Sequence, residues 1–493
     1  MRDLRNLAAQ GPQLERSIGL GRIMFQSIAT MAPGASVVFG LGLIISYSGG
    51  AAPAAMLLGA AAALCVAFTI GQLATKIPSA GGLYSYTAAT LGNHLGFLVG
   101  WIYTTVYIAS VCISALNFSL VLDDFLDTYF KVTVPQPILV VLLVLVIAGI
   151  TFIGVKPSTG LTAVLGTIEV AILLLISIIL IVKAGGANSL SFFNPATATA
   201  SNGSVLKGVF LGIVFAFAAI SGFESSAPLA EEAKNPRKTV PQAIVLSTLI
   251  IGLFYVIAMY AAVVGWGPGK LAGYESSPNP WREMANGVTG LFALLVSFAM
   301  LNSVTAGEQS SFNASSRLMF ALGRSGVAPR ALARIHPERR TPYIAIATTV
   351  VFGIVASLLG MWLLGGTFNA FIFFLTVLTV PLIVLYALMC VTCFVFFWTR
   401  ARADFVWWKH ALIPAIALAL LLPTIYYSVN GLTFPASAAI PVLAVWTLVG
   451  VAVLVSLRVR KVDISSEQHR WLAGDLEDGT EPSSVESRPR IKV

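Results

Sequence analysis

Charge is what this chain most lacks. Asp, Glu, Lys and Arg make up only 10% of its 493 residues, where a soluble protein of that length carries roughly a quarter. None falls between Arg22 and Lys76, and none between Arg340 and Arg400. A helical membrane crossing takes about 20 apolar residues at a rise of ~1.5 Å each, so each stretch has room for two. The apolar runs are continuous and do not alternate in ten-residue units. That pattern excludes a barrel and leaves an all-α polytopic membrane protein. Cysteine is scarce, with four in all, and no disulfide framework is implied. Cys390 and Cys393 form a C-x-x-C pair beside Met389 and Phe394. With no His and no second pair nearby, they read as small buried hydrophobes. No metal and no cofactor is expected. Nor does the sequence carry a P-loop or a dinucleotide-binding glycine signature, so transport driven by ATP on this chain is unsupported. Histidine is rare as well. His94, His336, His410 and His469 lie in loops or tails away from the intramembrane acids, which argues against an enzyme.

What is present is a succession of greasy runs separated by turn signals. Twelve spans fit, near 23–47, 53–75, 95–122, 136–155, 158–182, 207–230, 240–266, 287–318, 342–362, 368–398, 411–429 and 438–457. Ser48-Gly49-Gly50 with Pro53, the prolines Pro135 and Pro137, and Pro157 mark three of the boundaries. The net charge of +9 would suit nucleic acid, but the basic residues alternate between loops. With the N-terminus inside, 25 Lys and Arg fall on the inner side and 5, namely Lys131, Lys183, Lys207, Lys270 and Arg282, on the outer. This asymmetry predicts cytoplasmic termini and an even number of crossings. Residues 1–22 read as an uncleaved cytoplasmic tail, because the following apolar run is far longer than a signal-peptide core. Residues 463–493, rich in Ser, Glu, Gly and Pro, read as a disordered cytoplasmic tail.

Three carboxylates, Glu169, Glu224 and Glu308, lie inside apolar spans with no Lys or Arg at their depth. A charge near the bilayer midplane costs a few kcal/mol or more and usually faces an ion or substrate path. Two spans also carry helix breakers. In the first, Pro33 cannot donate a backbone hydrogen bond and Gly34 tolerates unusual dihedrals; small Ala35 and Ser36 follow. In the sixth, Phe217-Ala218-Ala219-Ile220 runs into Ser221-Gly222-Phe223-Glu224. Unwinding at either place frees main-chain groups that a ligand, ion or water must satisfy. One alternative for the first is a plain proline kink, and one for Glu224 is a structural cap on broken backbone. Breaks five spans apart are the arrangement of an inverted repeat around a midplane binding site. They imply a transporter.

The sequence resembles the amino acid–polyamine–organocation permeases along nearly its whole length. The similarity rests on Ile77-Pro78-Ser79-Ala80-Gly81-Gly82-Leu83-Tyr84-Ser85-Tyr86 at the end of span two. It rests also on the Gly-aromatic-Glu of span six with Glu231-Glu232-Ala233-Lys234-Asn235-Pro236-Arg237-Lys238. The third stretch is Asn313-Ala314-Ser315-Ser316-Arg317 leading to Gly323-Arg324-Ser325-Gly326. The resemblance implies a LeuT-like fold of twelve transmembrane helices. Residues 23–182 would form the first inverted repeat, 207–398 the second, and 411–457 two appended helices. It further implies a multi-pass protein of the bacterial inner membrane that carries amino acids or related amines. On matching positions, a substrate carboxylate would meet amides around Gly34, Ala35, Ser36 and Val37. Its amine would meet carbonyls near Ala32, Pro33, Ala218 and Ser221. Gly222 and Glu224 would stand beside it, with Tyr103, Tyr107, Phe217 and Phe223 as candidate walls.

Two departures from the family pattern bear on mechanism. Where several members carry a lysine midway along span five in place of a sodium ion, this chain has Glu169. Such an acid can carry a proton, bind sodium or pair with a cationic substrate, and Glu308 is a second candidate for coupling; the alternative for each is a hydrogen-bonded structural acid between helices. An aromatic gate common in span six is replaced by Ala218. The cluster Glu231, Glu232, Lys234, Arg237 and Lys238 reads first as simple topology and solvation, with inner-gate ion pairs to Arg317 or Arg324 as the alternative. The leading expectation is therefore a proton-coupled amino acid transporter whose partners are a small-molecule substrate, a coupling proton or sodium, and membrane lipid. Nucleic acid is not among them, and a homo-oligomer stays open. A polyamine or organic-cation permease of the same fold, and a membrane sensor that transports nothing, are the alternatives.

Overall fold

The computed structural model describes residues 17–197, 204–274, 277 and 279–459, the side chains of 38–39 and 155–162 excepted. The two expected terminal tails lie almost wholly outside the described residues. Helix follows from the solvent: in hydrocarbon each backbone N–H and C=O needs a partner within its own segment. Among the described residues eleven helical stretches are long and apolar enough to cross a membrane. The first, Leu41–Lys76, contains a 3₁₀ turn at Gly49–Ala51, where Gly49 takes φ +54°. It comprises the second part of span 1 and all of span 2. With Leu20–Met31 as the first half of span 1, the twelve crossings expected from sequence are present.

Span 1 is thus Leu20–Met31 followed by helical pieces over 33–48, and span 2 is Ala52–Lys76. Spans 3, 4 and 5 are Asn93–Phe130, Gln136–Ile153 and Val155–Ala184. Span 6 is Val205–Ile220 and then a tighter 3₁₀ segment, Phe223–Glu232. Spans 7 to 10 are Pro236–Trp266, Gly290–Arg324, Tyr343–Leu363 and Thr367–Thr399; spans 11 and 12 are Ile413–Asn430 and Ala439–Val459. Interruptions fall in the first helix of each five-span half, as the LeuT-like arrangement requires. Span 12 sits at the rim, with only 11% of its apolar window buried.

Two differences from the sequence expectation share one cause. Span 3 runs eight residues past its expected end at 122, through Asp123, Asp124 and Asp127, and stops where Lys131 turns left-handed at φ +55°. A short buried helix, Leu83–Leu91, lies between spans 2 and 3. Hydropathy marks where the membrane ends, whereas a helix ends where its hydrogen-bond ladder is capped.

Small residues let the spans approach closely, the dominant packing device in membranes. A Cβ added to Gly59 of span 2 would stand 2.6 Å from the Cβ of Ala216 in span 6. Spans 2 and 6 can therefore touch only through glycine here. Gly59→Val is expected to lower stability by about 1–3 kcal/mol through overpacking. Thermal unfolding in detergent, against wild type and the neighbouring surface variant Leu57→Val, measures it.

Candidate functional site

The first helix ends because Pro33 has no N–H to continue it. Ala32 adopts the left-handed region at φ 45°, ψ 68°, and donates its own N–H back to the carbonyl of Ala29 at 3.1 Å. A left-handed non-glycine residue costs roughly 1–2 kcal/mol, so the surroundings hold it there. The chain resumes with Pro33 at the first helical position, its favoured place. The next residue, Gly34, brings an amide that lacks a partner within its own helix. That N–H donates to Glu169 Oε1 at 2.7 Å and to Ser303 Oγ at 2.9 Å. Asn302 Nδ2 donates to the other oxygen, Glu169 Oε2, at 2.7 Å. One carboxylate of span 5 thereby joins the break in span 1 to span 8.

Span 6 breaks in a parallel way. Ser221 is extended at ψ 145° and Gly222 takes φ +107°. The Gly222 N–H donates to Glu224 Oε2 at 3.2 Å, and Tyr386 of span 10 donates its hydroxyl to the same oxygen at 2.7 Å. Glycine is required at 222 for a second reason. A Cβ there would lie 2.5 Å from Cγ2 of Thr30, just ahead of the other break. The two interruptions are thus in contact.

A cavity of ≈ 80 Å³, measured as room for the centres of water-sized spheres, opens beside them. One water needs about 10–15 Å³ on that measure, so the space suits several waters or a small organic solute. Its wall combines Ala32, Ala35 and Ser36 of span 1 with Ala218, Ser221, Gly222 and Glu224 of span 6. Tyr107 and the polar stripe Ser110, Ser114 and Asn117 come from span 3, and Phe371, Leu375, Leu378 and Leu382 from span 10. It extends toward the side where span 1 ends and span 6 begins.

Of the residues expected in the site, eight line this cavity: Ala32, Ala35, Ser36, Tyr107, Ala218, Ser221, Gly222 and Glu224. The others stand behind it. The Gly34 amide faces spans 5 and 8, as does the break's contact to Glu169. Pro33 and Val37 are buried off the cavity wall. Tyr103 lies one turn below Tyr107 and shares a hydroxyl–hydroxyl bond of 2.7 Å with it. Phe217 and Phe223 pack on Tyr386, with ring centroids 6.3 and 5.0 Å away. Glu308 is fully buried in span 8, and neither carboxyl oxygen has a partner among the described residues. Sequence reasoning passed over Tyr386, Asn302 and Ser303, whose roles depend on which helices become neighbours. It also passed over Ser110, Ser114 and Asn117. Their spacing of four and three puts them on one helix face, a signal that was available.

The opposite end of the bundle is closed by charge. Arg317 Nε meets Glu232 Oε1 at 2.9 Å, with both side chains buried, and Arg324 makes two bonds to Glu231 at 2.6 and 2.8 Å. The N–H of Ala80 also donates to Glu231 Oε1 at 3.2 Å. The chain entering span 1 is strapped to the end of span 6. Ser17 and Ile18 donate their N–H groups to the Glu232 carbonyl at 2.9 and 3.0 Å, and Lys234 donates to the carbonyl of Ile18 at 3.0 Å. The sequence favours simple topology and solvation for this cluster; the structure instead pairs Glu231 and Glu232 with Arg324 and Arg317.

Residues 23–457 match the family model described as "Amino acid permease". The chain belongs to the amino acid permease family. It is 26% identical over 365 residues to the branched-chain amino acid permease BcaP of Bacillus subtilis, covering 70% of this chain and 72% of the relative. A methylthioribose transporter of the same organism is 27% identical over 380 residues, covering 70% and 74%. The low-affinity putrescine importer PlaP of Escherichia coli is 24% identical over 355 residues, covering 70% and 75%. The permease is accordingly a multi-pass membrane transporter of amino acids or amines, and not an enzyme. Removing one partner of a buried ion pair strands the other charge, at a cost of about 3–5 kcal/mol. Arg317→Ala is therefore expected to lower the thermal unfolding midpoint sharply. The exposed pair Lys76–Asp404, 2.7 Å apart, provides the control: Lys76→Ala is expected to change stability by less than about 1 kcal/mol.

Proposed function

We propose that this permease is a secondary active transporter that carries an amino acid across the cytoplasmic membrane by alternating access, coupled to protons. The observation that carries the reading is a single cavity walled by both helix interruptions. The pieces over 33–48 start at the cavity, and a helix N-terminus favours an anion. With the Gly34 amide committed to Glu169 and the Ser36 amide to the carbonyl of Ala32, the α-carboxylate is left to the segment at Ala35. The α-ammonium goes to the carbonyl ends of Leu20–Met31 and Val205–Ile220, because helix C-termini favour cations. The count of 25 inner and 5 outer basic residues orients the cavity outward and the Arg–Glu pairs inward. This geometry is an outward-facing carrier with its inner gate shut.

Glu169 is the proposed coupling group. It accepts the amide at the span 1 break and contacts two residues of span 8, so its protonation would act on the hinge itself. Glu308, unpartnered in span 8, is the second candidate. An amino acid is favoured over a polyamine because Glu224, the carboxylate on the cavity wall, is already engaged by Gly222 and Tyr386. No unengaged anion on that wall stands ready for a second ammonium group. The putrescine importer among the relatives keeps the amine reading as the competitor.

Uptake of labelled amino acids into proteoliposomes under an imposed pH gradient tests both points. Competition by neutral amino acids and none by putrescine is expected; the reverse contradicts the substrate class. Glu169→Gln keeps an oxygen to accept the Gly34 amide but cannot take up a proton. Its uptake is expected to lose dependence on external pH. An unchanged pH profile at normal expression would remove Glu169 from coupling.

A further inference from the structure

We infer that Asn117 selects, within the cavity, for a solute whose side chain ends in a neutral hydrogen-bonding group, a hydroxyl or a carboxamide. This rests on the amino acid reading above and narrows it to a substrate class.

The inference starts from an unpaid polar group. Asn117 lies on the cavity wall and is only 4% exposed. Its carbonyl oxygen is sealed from solvent and has no hydrogen-bond partner among the described residues. Buried polar groups are almost always paired, so an unpaired amide on a cavity wall calls for a partner that comes and goes. The two serines of the same helix face do not need one equally. Ser110 is bonded to Ser311 at 2.6 Å. Ser114 Oγ lies 3.3 Å from where a Cβ on Gly307 would stand, and the Cβ of Ala32 is equally close to that point. This contact sets the level of the stripe: Ser114 is opposite the break in span 1, and Asn117 is one turn beyond it.

The chemistry of the partner follows from the amide. A carboxamide offers two donors and an acceptor and bears no charge, so it complements a hydroxyl or another carboxamide. A cationic side chain would use the acceptor alone, and an aliphatic one would leave the amide bare. The facing wall of span 10, Phe371, Leu375, Leu378 and Leu382, is apolar and suits the carbon stem but cannot satisfy Asn117. Sites that hydrogen-bond a substrate group reject analogues lacking it far more strongly than apolar pockets separate homologues.

Equilibrium binding to the purified full chain in detergent, with threonine, glutamine and leucine as the probes, decides the matter. Wild type is expected to bind threonine or glutamine at least tenfold more tightly than leucine. Asn117→Leu, which has a similar branched shape but is larger and lacks the amide, is expected to abolish or reverse that preference. Asn117→Ala is expected to reduce it in the same direction and serves if the leucine variant folds poorly. Leucine binding as tightly as both polar probes in wild type, or a preference that survives in the variants, overturns the inference and leaves the amino acid reading standing. Binding of putrescine with none of the three amino acids overturns both.

Discussion

Gly34 and Gly222 each present a main-chain N–H where a membrane helix has been interrupted, and each hands it to a glutamate. In a bilayer such groups are tolerated only where protein or a wet cavity satisfies them. With Glu169 and Glu224 each taking one amide, Ala32, Ala35 and Ser36 at one break and Ser221 and Gly222 at the other line the same cavity. The two carboxylates therefore satisfy one main-chain donor at each interruption, from behind the cavity and from its wall. Neither acid floats free. Glu169 is held by spans 1 and 8, and Glu224 by Tyr386 of span 10.

This arrangement divides the bundle mechanically. The first half of span 1 and the second part of span 6 are stitched together. Ser27 Oγ donates to the Phe223 carbonyl at 2.6 Å, Thr30 and Ser225 share a hydroxyl bond of 2.7 Å, and Ile18 bridges to Ala233. These pieces form one body below the cavity, latched to span 8 and to the turn after span 2 through Glu231 and Glu232. An opening of that end must part the Arg317–Glu232 and Arg324–Glu231 pairs, whereas the apolar face of span 10 on the other side has no such pairs along the cavity. Closure by charge at one end, with an apolar wall from span 10 at the other, fits the proposed carrier whose cavity is reached from one side at a time.

Much of this was legible in the chain before any coordinates. Pro33-Gly34 and Ser221-Gly222 announce their breaks by chemistry local to the residue: a missing donor, a missing Cβ. Glu169, Glu224 and Glu308 stand out because a lone acid in an apolar run is costly. What stayed hidden was direction and company. Nothing in Pro-Gly-Ala-Ser says which way the Gly34 amide points, and it points away from the cavity toward Glu169. Tyr386 looks like any other aromatic in an apolar span until span 10 is laid against span 6. Phe217 and Phe223 are candidate walls by resemblance to the permeases. Phe217, on the helix before the break, and Phe223, just after it, instead pack on Tyr386 and are absent from the cavity wall. Asn117 is the instructive case, since the period that places it with Ser110 and Ser114 was there to be counted.

The central claim is that a small solute sits between the two breaks, and cysteine protection tests it most directly. In a background with Cys65, Cys112, Cys390 and Cys393 replaced, single cysteines at Ala35 and Ala218 are alkylated in membranes with and without a saturating mixture of the common amino acids. The account predicts strong protection at both positions and none at Ser46, beyond the cavity. Labelling at Ala35 and Ala218 that the amino acids leave unchanged, with transport intact, would contradict it.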